Sequence, residues 1–321
     1  MTITIDNFGI PIPQVFLDGR ADMDLVTDTL RRAEKLGYHS AWVQDQVAGN
    51  TPLLESISLL CYAAAVTERM RLGVSVLVFP IRNAVQLAKN VSSLDHMSDG
   101  RVILGIGLGP VFAGDHYFNI FGTRADEALR RFNEGLVIMK SLWTEASTDI
   151  DGEFYTLQAA AMEPKPVQKP YPPIWFGGQH PNALERAVLH GDGYMGAGPT
   201  TTQNFAHQVE HIRRFLETHK RDPATFPLSK RVYLALDDDE DKAKAGLDRF
   251  FESRYPWMIE SNPNFVADIC VWGRAERVAE GLAHVIRSGA ERIVLNPLWD
   301  FGDQIEGLAR DVIPLIDAAV S

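Results

Sequence analysis

The sequence predicts an α/β protein, a (β/α)8 TIM barrel, and three observations carry that prediction. Short apolar runs of strand length recur along the 321-residue chain. A helix-patterned segment follows nearly every one. No linker or low-complexity stretch interrupts the series, so residues 1–321 read as a single domain. Eight strands alternating with helices on one unbroken chain favour a closed barrel of parallel strands. A doubly wound open sheet is the alternative.

Phe8 to Pro13 begins the series as a short apolar run, and Asp22 to Lys35 follows with apolar Leu25, Val26, Leu30 and Ala33 at helical spacing. Gly37 stops that helix. Ser40 to Val43 is the second strand, and its exit carries Asp45 and Gln46. A helix over Leu53 to Thr67 leads to the third strand, Leu72 to Val78. The helix Ala84 to Met97 ends on the turn Ser98-Asp99-Gly100, whose glycine suits a left-handed cap. Arg101 to Gly107 is the fourth strand, and Leu108-Gly109-Pro110 its exit.

The rhythm then breaks. Residues from about 111 to 169 hold one helix, Asp126 to Trp143, and then a stretch without clear periodicity. This is expected to be an insertion after strand four, over the mouth, because long connections in compact domains usually serve function. Ile174 to Phe176 and Tyr194 to Ala197 are strands five and six. Asn204 to Thr218 is a helix, and Arg231 to Leu236 is strand seven. The acidic run Asp237 to Asp241 opens the next helix, where negative charge meets the positive end of the dipole. Arg274 to Ser288 is a helix and Arg292 to Leu295 strand eight.

Charge narrows the function classes. With 31 Lys and Arg against 42 Asp and Glu, the formal charge is −11, which argues against a nucleic-acid partner. The longest apolar runs, such as Leu72 to Ile81, are too short to cross a bilayer, so no membrane partner is expected. The N-terminal MTITIDNFGI lacks the basic and apolar regions of a secretory signal. Cys61 and Cys270 both lie in apolar contexts and read as buried thiols in a reducing cytoplasm.

In a barrel, ligands bind at the C-terminal ends of the strands. That places Asp45, Gln46, Ser75, Gly107, Gly109, Gly177, Gly178 and Gly198 at the mouth. Gly177 and Gly178 join a buried strand to the helix near Asn182 to Leu189. The glycines admit close approach, and the helix start offers unpaired N–H groups to a phosphate. The plainer alternative is a tight strand-to-helix turn. Gly105-x-Gly107-x-Gly109 fails as a dinucleotide fingerprint, because Pro110 takes the last glycine's place and no helix follows promptly. His207-Gln208-Val209-Glu210-His211 matches a zinc pattern, but it lies mid-helix in the outer ring and is expected to be a wet face, with no metal. Acid–base candidates at the mouth are few: Asp45, Asp115, His116 and His180. So thin an inventory points to an enzyme that borrows its chemistry from a cofactor and acts on a small molecule.

Ala84 to Lys89, Ser93 to Arg101, Leu104 to Gly109, Pro164 to Pro170 running into Ile174, Gly177-Gly178 and Gly191 to Tyr194 stand out together along the chain. In this order they resemble the luciferase-like monooxygenase superfamily. The resemblance implies a (β/α)8 barrel, commonly a homodimer, using coenzyme F420 for hydride transfer or, alternatively, reduced FMN with O2. Gly177-Gly178 and Ser75-Val76 look most like the F420 branch. It implies that Asp45, Ser75 and Val76 flank the ring, with a cis Ser75–Val76 peptide behind it. Gly107 and Gly109 would give clearance, and Gly177, Gly178 and Gln179 would take the phosphate. Trp42, Gln46 and His116 would face the substrate, with Asp45, Gln46 and His116 at the reacting centre. One departure stands out. Gln46 occupies the place where many relatives carry a histidine, and glutamine cannot exchange a proton near neutral pH, so it can only orient. A non-catalytic flavin-binding barrel is the remaining alternative.

Overall fold

The computed structural model describes residues 2–110 and 113–320. Val111, where the insertion is expected to begin, therefore lies outside the described residues. In chain order the strands are β1 (Phe8–Pro11), β2 (Ser40–Val43), β3 (Arg71–Val78), β4 (Val102–Gly107), β5 (Thr148–Asp151) and β6 (Thr156–Ala160). Then come β7 (Ile174–Phe176), β8 (Gly193–Gly196), β9 (Leu228–Leu236), β10 (Val271–Gly273) and β11 (Arg292–Pro297). The order β10-β9-β11-β1-β2-β3-β4-β7-β8, with β9 also paired to β8, is that of a closed (β/α)8 barrel carrying β10 as an extra strand. The expected fold class is met.

Two compact units divide the chain. The first comprises residues 1–13, 22–42 and 178–321. Its strands run parallel: β1 pairs with β2 and β11, and β9 with β8, β10 and β11. Strands β1, β2 and β8 are buried throughout, as strands covered on both faces must be. Helices Met23–Leu36, Thr202–Thr218 and Ala275–Arg287 are amphipathic and set their apolar stripes inward. Asp239 caps the helix Glu240–Arg254 by accepting from the Lys242 N–H, so the acidic run is a helix start.

The second unit comprises residues 14–21 and 43–177. Here β3, β4 and β7 run parallel. Much of the stretch that carries the resemblance is scaffold. Asp95, fully buried on the helix Ala84–Met97, accepts from the Gln168 backbone N–H (2.9 Å) and from its Nε2 (2.7 Å). Arg101 spends its guanidinium on Ser98 O, Thr67 Oγ1, Met70 O, Ala64 O and Thr67 O. It thus satisfies orphan carbonyls at the end of the helix Ser56–Val66, a polar demand that every buried helix end makes. The turn before it takes left-handed Asp99 (φ 52°) and Gly100 (φ 74°).

The stretch after the helix Ala128–Thr144 is not irregular throughout. It contains the antiparallel hairpin β5–β6, whose strands are largely exposed, and so lack the alternation that marks a half-buried strand. Among the described residues no helix is long and apolar enough to cross a membrane.

Candidate functional site

The second unit supplies a distorted strand end. On β3 the register to β4 runs Val74↔Leu104 and then Leu77↔Ile106, so three steps on β3 match two on β4. Ser75 and Val76 are the bulge, and the peptide between them is cis, as the resemblance implies. They are also the two positions of β3 beyond Arg71 that keep solvent exposure. Val76 projects over the glycines of its neighbours. A Cβ on Gly107 would lie 2.8 Å from Val76 Cγ2, one on Gly177 3.0 Å from the same atom, and one on Gly105 2.0 Å from the Val74 carbonyl oxygen. The glycine stripe of β4 therefore makes room for β3, a close approach that only hydrogen side chains permit. Gly109 (φ 78°) would likewise collide with Val78 at 2.4 Å.

Asp45 is the anchor of this end. Its side chain is 1% exposed. Oδ1 accepts from Arg82 Nη2 at 2.6 Å and from Ser56 Oγ at 2.8 Å, and Oδ2 accepts from the Val78 N–H at 2.8 Å. Arg82 also pairs with Glu55 at 3.3 Å. The carboxylate thus ties the β2 exit to the β3 exit. Arg82 and Asn83, with Val47, Gln86, Leu87 and Phe121, line a pocket of about 250 Å³.

Gln46 folds back on its own loop, and its amide occupies the space a side chain at Gly49 (φ 155°) would need. His116 is exposed on the short helix Gly114–Phe118, next to Asp115, which accepts from the Ala125 N–H. Trp42, in the first unit, is 2% exposed and donates its indole N–H to Ser40 Oγ at 2.8 Å, over Gly9.

The first unit supplies an anion seat. Before the helix Pro181–His190, the backbone N–H groups of Gly178, Gln179 and His180 have no protein acceptor among the described residues. Three consecutive free donors at a helix start are a ready phosphate site. The loop is held from several sides. Gly178 takes φ 148°. Its carbonyl accepts from the Tyr194 hydroxyl at 2.7 Å, and that hydroxyl also lies 2.8 Å from the Gln208 carboxamide. Burial pushes the Tyr194 phenol up, so it stays a donor. Gln179 Nε2 donates to Thr200 Oγ1 at 2.9 Å.

Sequence reasoning did not single out Thr200 or Lys230. Lys230 is 2% exposed, and its Nζ donates to Ala197 O at 3.1 Å, Thr200 O at 2.8 Å and Arg231 O at 3.3 Å. Burial pushes its ammonium down to about 7. A lysine next to an arginine inside an otherwise apolar strand was the available signal. Elsewhere, His207 and His211 lie on the exposed face of the helix Thr202–Thr218, His207 3.5 Å from Glu210 and His211 2.9 Å from Arg214.

The family model described as luciferase-like monooxygenase matches residues 8–292. The chain belongs to the luciferase-like monooxygenase family. Its characterised members are oxidoreductases and monooxygenases. The chain is similar, at 28% identity over 228 residues, to an F420-dependent glucose-6-phosphate dehydrogenase of Kineococcus radiotolerans. That match covers 68% of this chain and 66% of the dehydrogenase, just under two thirds of its length. It is also 22% identical over 331 residues to an FMNH2-dependent dimethylsulfone monooxygenase of Pseudomonas putida, covering 92% of this chain and 88% of that protein. Among solved structures, an F420-dependent secondary alcohol dehydrogenase bearing an F420–acetone adduct superposes with a TM-score of 0.81 at 18% identity, over all of both chains. This luciferase-like chain therefore has relatives that use F420 and relatives that use FMN.

Proposed function

We propose that the protein is an oxidoreductase that carries coenzyme F420 and transfers hydride to or from a small organic molecule. The observation that carries this reading is the row of three unclaimed amide donors at 178–180, which fits the phosphate that F420 and FMN both bear. Gly178, Gln179 and His180 would hold that phosphate through N–H groups fixed in advance, so little ordering cost remains at binding. The bound cofactor supplies the hydride chemistry. Val76 and Ser75, half-buried on a largely buried strand, offer an edge to a ring, its apolar part from Val76. Asp45 holds the β2 and β3 exits together. With both oxygens engaged, it acts on that geometry and leaves proton transfer to other groups.

A monooxygenase using reduced FMN is the second reading, supported by the long match to the sulfone monooxygenase. Titration with F420 and with FMN, followed by tryptophan fluorescence, separates the two. The first reading expects F420 to bind at least about tenfold more tightly, and the reduced complex to ignore O2. Tighter FMN binding with O2 consumption selects the monooxygenase. Binding of neither cofactor overturns both.

A further inference from the structure

We infer that Lys230 is a positioning residue for the cofactor phosphate: from inside β9 it fixes the 197–200 loop, and through Thr200 that loop fixes Gln179. The inference rests on the phosphate seat proposed above and adds a part to it that touches no ligand.

Four observations support it. Lys230 is buried to 2% with backbone carbonyls as its acceptors: Ala197, Thr200 and Arg231. Three donors on one ammonium match three carbonyl oxygens, so the side chain cross-links backbone rather than neutralising a carboxylate. Two of those carbonyls bracket Gly198 and Pro199, so the loop is pinned at both ends. Gly198 has no room for a side chain, since a Cβ there would lie 2.6 Å from the Tyr233 ring.

Thr200 then connects the pinned loop to the seat. It is 3% exposed, and its Oγ1 accepts from Gln179 Nε2. Its own O–H has no acceptor among the described residues, leaving a buried donor available to a ligand oxygen. Burying a lysine costs stability that an apolar residue in the same strand would not.

The test compares affinities at pH 6 for FMN against riboflavin, and for F420 against its deazaflavin core lacking the phosphate-linked tail. The unsubstituted protein should prefer the phosphorylated form of at least one pair. Lys230→Met should lower that preference by about tenfold while leaving the affinity for the tail-less partner unchanged, and Lys230→Arg should restore part of it. A folded Lys230→Met, or Lys230→Gln where the methionine variant fails to fold, that keeps the full preference overturns the inference. Hydrogen exchange in the unsubstituted protein gives a reading free of substitution. The Thr200 amide, which donates to Gly198 O, should exchange more slowly with FMN or F420 bound than with the tail-less forms, and equal rates overturn the inference. If the unsubstituted protein shows no preference within either pair, the phosphate seat itself fails. That outcome differs from a preference that merely ignores Lys230.

Discussion

Val76 occupies the space that a side chain at Gly107 would need: a Cβ on Gly107 would stand 2.8 Å from Val76 Cγ2. The β4 glycine and the β3 bulge are thus one feature seen from two strands. Gly107→Ala should destabilise the fold by about 1–3 kcal/mol through overpacking. Val76→Ala should relieve most of that cost in the double variant, with a coupling of about 1 kcal/mol or more. Urea unfolding of the four proteins measures it, and strictly additive costs would refute the contact.

Asp45 should matter first to stability. Asp45→Ala strands Arg82 and the Val78 N–H, and is expected to cost about 2–4 kcal/mol. Glu55→Ala removes the second carboxylate on Arg82 and also the N-cap of the helix Ser56–Val66, where Glu55 Oε2 accepts from the Ser58 N–H at 2.7 Å, and should cost about 1–2 kcal/mol, less than Asp45→Ala. Denaturant melts of both variants, side by side, check the ranking.

Gly178 takes φ 148°, and a Cβ there would press to 2.8 Å on Ala183. Gly178→Ala should therefore shift the loop and weaken binding of a phosphate-bearing cofactor by about tenfold or more. Riboflavin affinity should stay as it was. Equal loss for both ligands would place the effect outside the phosphate seat.

These outcomes bear on what the sequence could reveal. Strands Ser40–Val43 and Ile174–Phe176 and the helix Ala84–Met97 match their expected bounds, because each is a continuous apolar or strongly periodic run between clear breakers. The hairpin β5–β6 was not legible, since its residues are mostly exposed and carry no period. The strand expected from Arg231 starts at Leu228. Ser229 and Lys230 are polar residues at the strand's start, and only the fold shows them buried there with Arg231. The glycines at 105, 107 and 177 were conspicuous in the sequence. Their purpose was not, because what they accommodate, the Val74 carbonyl for Gly105 and the Val76 side chain for Gly107 and Gly177, belongs to a strand some thirty to a hundred residues earlier.

Lys230 should make stability depend on pH in a defined direction. Its unfolded value is the ordinary one near 10.4, and its folded value is about 7. Between those values the unfolded chain carries the proton and the folded chain releases it, so stability rises with pH. Relative to Lys230→Met, the unsubstituted protein should gain about 2 kcal/mol from pH 7 to pH 9. Paired unfolding curves at the two pH values read the difference directly. An unchanging gap would mean the amine titrates near its usual value.

The seat at 178–180 carries the functional argument, and amide NMR tests it most directly. On saturation with the cofactor that binds, the amide protons of Gly178, Gln179 and His180 should move downfield as they take up phosphate oxygens, while the tail-less analogue leaves them in place. Saturation that leaves all three resonances unmoved, with shifts gathered at another helix start, would contradict the account.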